Sequence, residues 1–167
     1  VSYLAAYRGS RDLRAFIFEE RRKLVFELFG ATRGKVLDIG CGPAVYTEGL
    51  AQRGCTVYGV DVSDRMIALA QSRRVPSATF AVGTVERLPF QDTVFDGVVG
   101  SGLLEYLDDV EGAVREIVRV TKPGGIVILT APNGSSWLNK MDACLRQMVR
   151  FWPLTTIQKT IGNLLDY

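Results

Sequence analysis

The sequence predicts an α/β fold in which five parallel strands form one open sheet with helices on both faces. Short runs that are apolar at every position alternate with stretches of helical periodicity. Strands that are apolar on both faces are typical of a parallel sheet covered on both sides. The 167 residues, 47% of them hydrophobic, are enough for a single domain with a substantial core.

The elements follow one another along the chain. A helical stripe over residues 11–29 ends at Gly30, where a helix C-cap belongs. The predicted strands are 35–39, 55–60, 79–82, 95–100 and 126–131. The helices between them are predicted from about Ala44 to Arg53, over 64–74 after an N-cap at Ser63, and over 110–121 after a cap at Asp108 or Asp109. Residues 122–125, Lys-Pro-Gly-Gly, should end the last of these helices.

Composition excludes several classes of function. With 20 basic and 18 acidic residues the net charge is +2, and no basic patch interleaves with aromatic residues, so a nucleic-acid partner is not expected. No stretch is apolar enough to cross a membrane. The three cysteines lack metal-ligand spacing, so no metal is predicted, and reduced thiols in a cytoplasmic protein are expected. Histidine, the commonest general base, is absent.

Residues 132–167 depart from this alternation. A stripe rich in Trp and Met over 137–152 has basic residues beside it, and a second stripe follows Pro153. The first stripe would cover an apolar acceptor, touch a membrane surface peripherally, or simply pack on the core. We therefore divide a single domain of residues 1–167 into an N-terminal helical lid over 1–30, a core over 35–133 and a helical segment over 134–167.

A glycine-rich loop, Gly40-Cys41-Gly42-Pro43, follows the first predicted strand. In an open parallel sheet, ligands bind beyond the carboxyl ends of the strands, and glycines there let the backbone approach a ligand. Nineteen residues beyond Gly42, Asp61 ends the second strand, where a carboxylate can accept both hydroxyls of a ribose. The pair favours a nucleoside-containing ligand over a simple glycine turn.

Asp38, which precedes the loop, indicates which nucleoside binds. A carboxylate on the lip of the loop would repel the pyrophosphate of a dinucleotide, and Val45 replaces the third glycine of the dinucleotide fingerprint. A cationic nucleoside such as S-adenosyl-L-methionine would be attracted instead, because it carries a sulfonium and an ammonium. Capping of its own turn is the alternative role for Asp38.

Four segments together resemble class I S-adenosylmethionine-dependent methyltransferases, in particular the small-molecule group of the ubiquinone and menaquinone biosynthesis type. They read VLDIGCGPA, VYGVDVSDRMI, AVGTVERLPFQDTVFDGVVGSGLLEYLDD and VREIVRVTKPGGIVILTAPN, and they cover residues 36–133 in the family's order. The resemblance implies a Rossmann-like sheet in the order 3-2-1-4-5 and methyl transfer to a small, lipophilic acceptor, with S-adenosyl-L-homocysteine as product. No candidate for the family's usual antiparallel C-terminal strand pair is visible.

The resemblance also implies a set of cofactor contacts at the carboxyl ends of the strands. Those expected at the methionine and ribose are Asp38, Gly40, Cys41, Gly42, Asp61 and Ser101. Those expected at the adenine are Val62, Met66, Thr84 and the backbone of Val85. Asp38 would orient the ammonium and Asp61 the ribose, whereas Thr84 stands where the family commonly has an aspartate.

The catalytic base is not specified by these motifs. Where relatives often read Leu-His-His-Leu, residues 104–107 are Leu-Glu-Tyr-Leu, so Glu105 and Tyr106 are weak candidates, with Tyr7 and Tyr46 as others that could face the pocket. For each, packing or a surface role is the alternative. Two further interpretations stay open: an inert adenosylmethionine-binding module, and a nicotinamide-dependent oxidoreductase with the same fold. The sequence does not specify the oligomeric state.

Overall fold

A computed structural model describes residues 13–130 of the chain, and the side chains from residue 16 onward. Its strands are β1 (Gly34–Ile39), β2 (Cys55–Asp61), β3 (Ala78–Val82), β4 (Phe95–Gly100) and β5 (Thr121–Leu129). Its helices are α1 (Leu13–Phe29), α2 (Val45–Gln52), α3 (Asp64–Ser72) and α4 (Val110–Val120), with a short 3₁₀ helix over Leu104–Tyr106.

The strands form one sheet in the order β3-β2-β1-β4-β5, and each neighbouring pair is parallel. The predicted fold and strand order are therefore confirmed. Val36 of β1 lies opposite Val57 of β2 on one side and Gly97 of β4 on the other, so β1 is central. Tyr7, the two helical stripes beyond residue 132 and the question of an antiparallel strand pair lie outside the described residues.

The hydrophobic core lies on both faces of the sheet, because side chains of successive strand residues point to opposite faces. Val36 belongs to a cluster with Phe26 and Phe29 of α1 and Leu50 of α2. The next residue along β1, Leu37, belongs to a second cluster that contains three residues of α4. Within the described residues, no helix is both long and apolar enough to cross a membrane.

The start of β5 differs from the sequence prediction. Residues 122–125 do not separate the last helix from the strand, because β5 begins at Thr121, directly after α4. Thr121 pairs with Phe95 and Ile126 pairs with Gly97, so the glycine-containing segment forms a bulge within the pairing. The regular ladder resumes at Ile126, where the sequence placed the beginning of the strand.

Two predicted helix caps are present. The Ser63 hydroxyl accepts a hydrogen bond from the Met66 amide at 3.3 Å, and Asp109, rather than Asp108, accepts from the Gly112 amide at 2.8 Å. Helix α2 begins differently, because Ala44 has a φ of 63° and provides no side-chain cap. The chain therefore enters α2 from a left-handed residue, directly after the glycine loop.

We expect Gly97→Ala to destabilise the fold by about 1–2 kcal/mol. The added methyl group would lie 2.6 Å from Cζ of Phe29 and 3.1 Å from Cγ2 of Ile126. Phe29 is only 2% exposed and cannot swing away, so overpacking outweighs the roughly 0.5–1 kcal/mol gained by restricting the glycine backbone. Urea unfolding measures the difference, and Phe29→Leu should restore part of the stability in the double variant. An unchanged unfolding midpoint in Gly97→Ala would contradict this packing.

Candidate cofactor-binding site

The carboxyl ends of β1 and β4 border the crevice in which ligands of such sheets bind. The chain runs from β1 outward to β2 and β3 on one side, and from β4 to β5 on the other. Crossovers that diverge in this way leave a gap beyond the strand ends, between the loops that follow β1 and β4. Those two loops contain Gly40, Gly42 and Ser101, all predicted from the sequence to bind the cofactor.

The glycine loop folds over the end of β2. The amides of Gly40 and Cys41 donate to the carbonyl oxygen of Val60 at 2.8 and 3.1 Å. Gly40 and Gly42 have φ values of 66° and 50°, which residues with a side chain adopt only with backbone strain. A Cβ atom placed on Gly42 would have no neighbour within 4 Å, so the space beside this residue is open to a ligand.

Asp61 connects the loop to the start of α3. One carboxylate oxygen accepts a hydrogen bond from the Gly42 amide at 2.9 Å, and the other accepts from the Ser63 amide at 2.9 Å. Each oxygen of an ionised carboxylate has two acceptor positions, so one on each oxygen remains for a further donor. The geometry thus leaves Asp61 able to bind two hydroxyl groups while it fixes the loop.

Asp38 lies below the loop rather than on its lip, which corrects the sequence-based position. Its side chain is 2% exposed and accepts a hydrogen bond from the hydroxyl of Thr47 at 2.5 Å. The cause is the central position of β1 in the sheet, because α2 covers the end of this strand and brings Thr47 onto the carboxylate. Thr47, itself fully buried, was not predicted as a site residue.

The charge of Asp38 is poorly compensated. Burial raises the pKa of Asp38 to about 6, hydrogen bonds from Thr47 lower it, and the nearby Asp61 carboxylate raises it. Among the described residues, no lysine or arginine pairs with it. A cation that reached Asp38 would therefore be strongly favoured.

Cys41 lies against the same two carboxylates. It is 5% exposed, and burial raises the pKa of its thiol, as do Asp38 and Asp61. The side chain therefore stays a neutral thiol at physiological pH, and a nucleophilic role is disfavoured. Its contribution to the site is shape, together with the backbone amide that anchors the loop.

The predicted adenine contacts surround the ends of β2 and β3. Val62 is 73% exposed, Met66 is half-buried and Thr84 is exposed. The side chain of Val85 is buried in the core, so only its backbone is available to a ligand. The amide of Gly83 donates to the Asp61 carbonyl at 3.0 Å, which holds the loop after β3 beside the end of β2.

Across the crevice, Ser101 follows β4. Its hydroxyl lies 2.9 Å from the hydroxyl of Tyr46, a residue of α2. Tyr46 is thus brought into the site, whereas Glu105 and Tyr106 lie on the 3₁₀ helix with exposed side chains, Tyr106 at 81%. Thr130, which the sequence did not indicate, lies 3.4 Å from Ser101 through its hydroxyl.

A family model described as a methyltransferase domain matches residues 37–129. The chain belongs to this family. The match includes every residue that the sequence predicted to bind the cofactor, and it confirms the resemblance drawn from the motifs.

Curated relatives and solved structures agree with the family. A demethylmenaquinone methyltransferase from Mycolicibacterium gilvum is 43% identical over 95 residues, which cover 57% of this chain and 40% of the relative. A ubiquinone biosynthesis O-methyltransferase from Pseudomonas fluorescens is 35% identical over 114 residues, 64% of this chain and 48% of the relative. The structure of a SAM-dependent methyltransferase from Methanosarcina mazei, 29% identical, has a TM-score of 0.55 over 63% of this chain and 57% of its own. The chain thus spans less than half of the length of these two curated relatives.

Proposed function

We propose that the protein transfers a methyl group from S-adenosylmethionine to a small, lipophilic acceptor, and that the cofactor binds in the crevice between the loops after β1 and β4. The contact between Asp61 and the Gly42 amide carries this proposal. It places a carboxylate with spare acceptor positions directly beside a glycine loop with open space next to it. A ribose bound against this loop would bring its two hydroxyls to Asp61.

The buried acid supports a cationic nucleoside over a dinucleotide. Asp38 lies close enough to Asp61 for the Asp61 carboxylate to raise the pKa of Asp38. Two carboxylates beneath one loop would repel a pyrophosphate and attract an ammonium or a sulfonium. The residues present therefore suit S-adenosylmethionine and do not suit a nicotinamide dinucleotide.

The end of β2 supplies an apolar surface for the adenine. Val62 directly follows Asp61 in sequence, and its side chain is 73% exposed at the end of β2. A purine resting on Val62 and Met66 would cover this surface while the ribose stays on Asp61. Thr84 and the Val85 backbone would then face the polar edge of the purine.

Methyl transfer requires mainly that the acceptor atom is aligned with the methyl group. Bound S-adenosylmethionine supplies a methyl group that its sulfonium already activates. The chain has to hold the acceptor atom in line with that group and exclude water. The side chains of Glu105 and Tyr106 are exposed, so we assign neither as the base. An acceptor that is acidic, or already nucleophilic, would need none.

The names of the relatives support one class of acceptor. Two of them are named a demethylmenaquinone methyltransferase and a ubiquinone biosynthesis O-methyltransferase, and they match 57% and 64% of this chain. We therefore infer an aromatic, lipophilic acceptor of the quinone-precursor kind. It would enter beside the loop after β4, on the side of the crevice opposite Asp61.

Thermal unfolding with added ligands tests the cofactor. S-Adenosylmethionine and S-adenosylhomocysteine at a hundredfold excess over Kd should each stabilise the chain by about 2.7 kcal/mol, a rise in Tm of roughly 5–10 °C. NAD at the same concentration should have little effect. A larger shift with NAD would overturn the proposal in favour of an oxidoreductase.

Transfer of labelled methyl groups to short-chain prenylated hydroquinones, with unprenylated catechol as control, then tests the acceptor. Binding without transfer to any acceptor would favour an inert cofactor-binding module.

A further inference from the structure

The loop after β3, which is proposed above to face the adenine, begins with a tight turn. The Arg87 amide donates to the Thr84 carbonyl oxygen at 3.4 Å and closes the turn over residues 84–87. Val85 within the turn and Leu88 directly after it are both buried, and they belong to the core cluster that α4 also joins. The position of the Val85 backbone therefore depends on how the residues that follow it are held.

Arg119, in the last turn of α4, holds these following residues. Its guanidinium group has five N–H donors, and the structure gives each of them an acceptor. The acceptors are both carboxylate oxygens of Glu116 at 2.8 Å each, the carbonyl oxygens of Leu88 and Phe90 at 3.2 and 2.8 Å, and the carboxylate of Asp92 at 2.7 Å. A lysine ammonium has three donors and no planar fork, so it could not make the same set of contacts.

Glu116 completes the attachment at Leu88. One of its carboxylate oxygens accepts a hydrogen bond from the Leu88 amide at 3.0 Å, while Arg119 donates to the Leu88 carbonyl oxygen. Hydrogen bonds from Arg119, and to a smaller extent from the Leu88 amide, lower the pKa of Glu116, so this carboxylate is ionised at neutral pH. Both backbone polar groups of Leu88, three residues after Val85, are thus held by one ion pair on α4.

Arg119 lies near the edge of the sheet opposite to the crevice. Helix α4 ends at Val120, and Thr121 begins β5 beside Phe95, the first residue of β4. The six residues of β4 separate this edge from the carboxyl ends of the strands by roughly 20 Å. Because the cofactor is proposed to bind at those carboxyl ends, Arg119 would act on it only through the loop that it holds.

We propose that Glu116 and Arg119 are positioning residues that hold the loop after β3 in one conformation, and that this conformation makes the site selective for adenine. The inference rests on the proposed function. Adenine and hypoxanthine have the same size but opposite donor and acceptor patterns at the edge that Thr84 and the Val85 backbone would face. A fixed peptide group at Val85 discriminates between the two patterns, whereas a loop free to reorient could pair with either.

Calorimetry with two ligands tests the selectivity. Wild type should bind S-adenosylhomocysteine at least about tenfold more tightly than S-inosylhomocysteine, because the inosine leaves the fixed peptide group unpaired. Arg119→Lys and Glu116→Gln should each reduce this ratio to about threefold or less, mainly by weakening the adenosine ligand. Neither substitution touches the ribose contact proposed for Asp61, so both variants should still bind the two ligands.

Two control variants separate positioning from stability. Arg115→Gln removes a cation from the same helix, where Arg115 pairs with Glu111 and both side chains are more than half exposed. Gly97→Ala is expected to destabilise the face of the sheet that contacts Phe29, away from the loop after β3. Both controls should keep the wild-type ratio of dissociation constants, although Gly97→Ala lowers the urea midpoint.

Hydrogen exchange in the free wild-type protein tests the loop without any substitution. The Leu88 amide should exchange slowly, because it donates to Glu116, and S-adenosylhomocysteine should change its rate little. Fast exchange that slows only with bound ligand would overturn the inference. So would a wild-type ratio near one, an unchanged ratio in folded Arg119→Lys and Glu116→Gln, or an equal fall in Gly97→Ala. Wild-type protein that binds no S-adenosylhomocysteine contradicts the proposed function instead, which separates the two failures.

Discussion

Replacing Asp61 by alanine is expected to lower the affinity for S-adenosylhomocysteine at least tenfold. The carboxylate would accept both ribose hydroxyls, and each hydrogen bond to a charged group contributes roughly 1.5–3 kcal/mol. The variant also loses the acceptor for the Gly42 and Ser63 amides, so the glycine loop loses its connection to α3. Affinity therefore falls through two routes, loss of the ribose contact and loosening of the loop.

The two routes are separable. Asp61→Asn removes the negative charge but keeps one oxygen for a backbone amide, so it should fall between wild type and Asp61→Ala. Asp64→Ala is the matched control, because Asp64 is an exposed carboxylate three residues further on, in the first turn of α3. Isothermal titration gives the affinities, and the urea midpoint reports the loop. Wild-type affinity in Asp61→Ala would exclude Asp61 as the ribose ligand.

The sheet was largely predictable because its information is local. In β1 and β4, buried on both faces, most residues are apolar, and their runs can be read without knowing what packs on them. The start of β5 was not predictable, since Pro123 and Gly124 are typical of a loop in any local pattern. Only the pairing with β4 decides that these residues form a bulge within the ladder.

The site was predictable for the same reason, but only for the residues that lie at strand ends. Gly42 and Asp61 lie at strand ends, where topology brings them together whatever the side-chain packing. Tyr46 and Ser101 are 55 residues apart, and Thr130 lies 29 residues beyond Ser101. Their contact depends on how α2 and the end of β5 pack in the fold, and no sequence periodicity encodes that packing. Asp38 was identified by its chemistry, but its depth was missed because the cover supplied by Thr47 is a tertiary feature.

Asp38→Asn is expected to change stability and cofactor affinity in opposite directions. In the folded chain the Asp38 pKa is raised to about 6 from 3.8, so its contribution to stability is present below pH 3.8 and lost as the pH rises through 6. At pH 7.5 the buried charge therefore costs about 2–3 kcal/mol, and asparagine removes that cost. The variant should melt roughly 5 °C higher than wild type at pH 7.5, and the difference should shrink toward pH 4.

Binding should respond in the opposite sense, because the same charge would attract the cofactor. Wild-type affinity for S-adenosylmethionine should fall as the pH drops below about 6 and Asp38 takes up a proton, whereas the Asn variant should be weak throughout and show no such step. S-Adenosylhomocysteine, which lacks the sulfonium, measures the ammonium alone. If the variant to wild-type ratio of dissociation constants is larger for S-adenosylmethionine than for S-adenosylhomocysteine, Asp38 acts on the sulfonium as well. Equal ratios restrict its action to the ammonium. A variant that is more stable but binds both ligands as wild type does would show that the carboxylate is a structural partner of Thr47 without a role in binding. Because the same substitution is expected to raise stability and lower affinity, a general loss of folding cannot imitate the expected result.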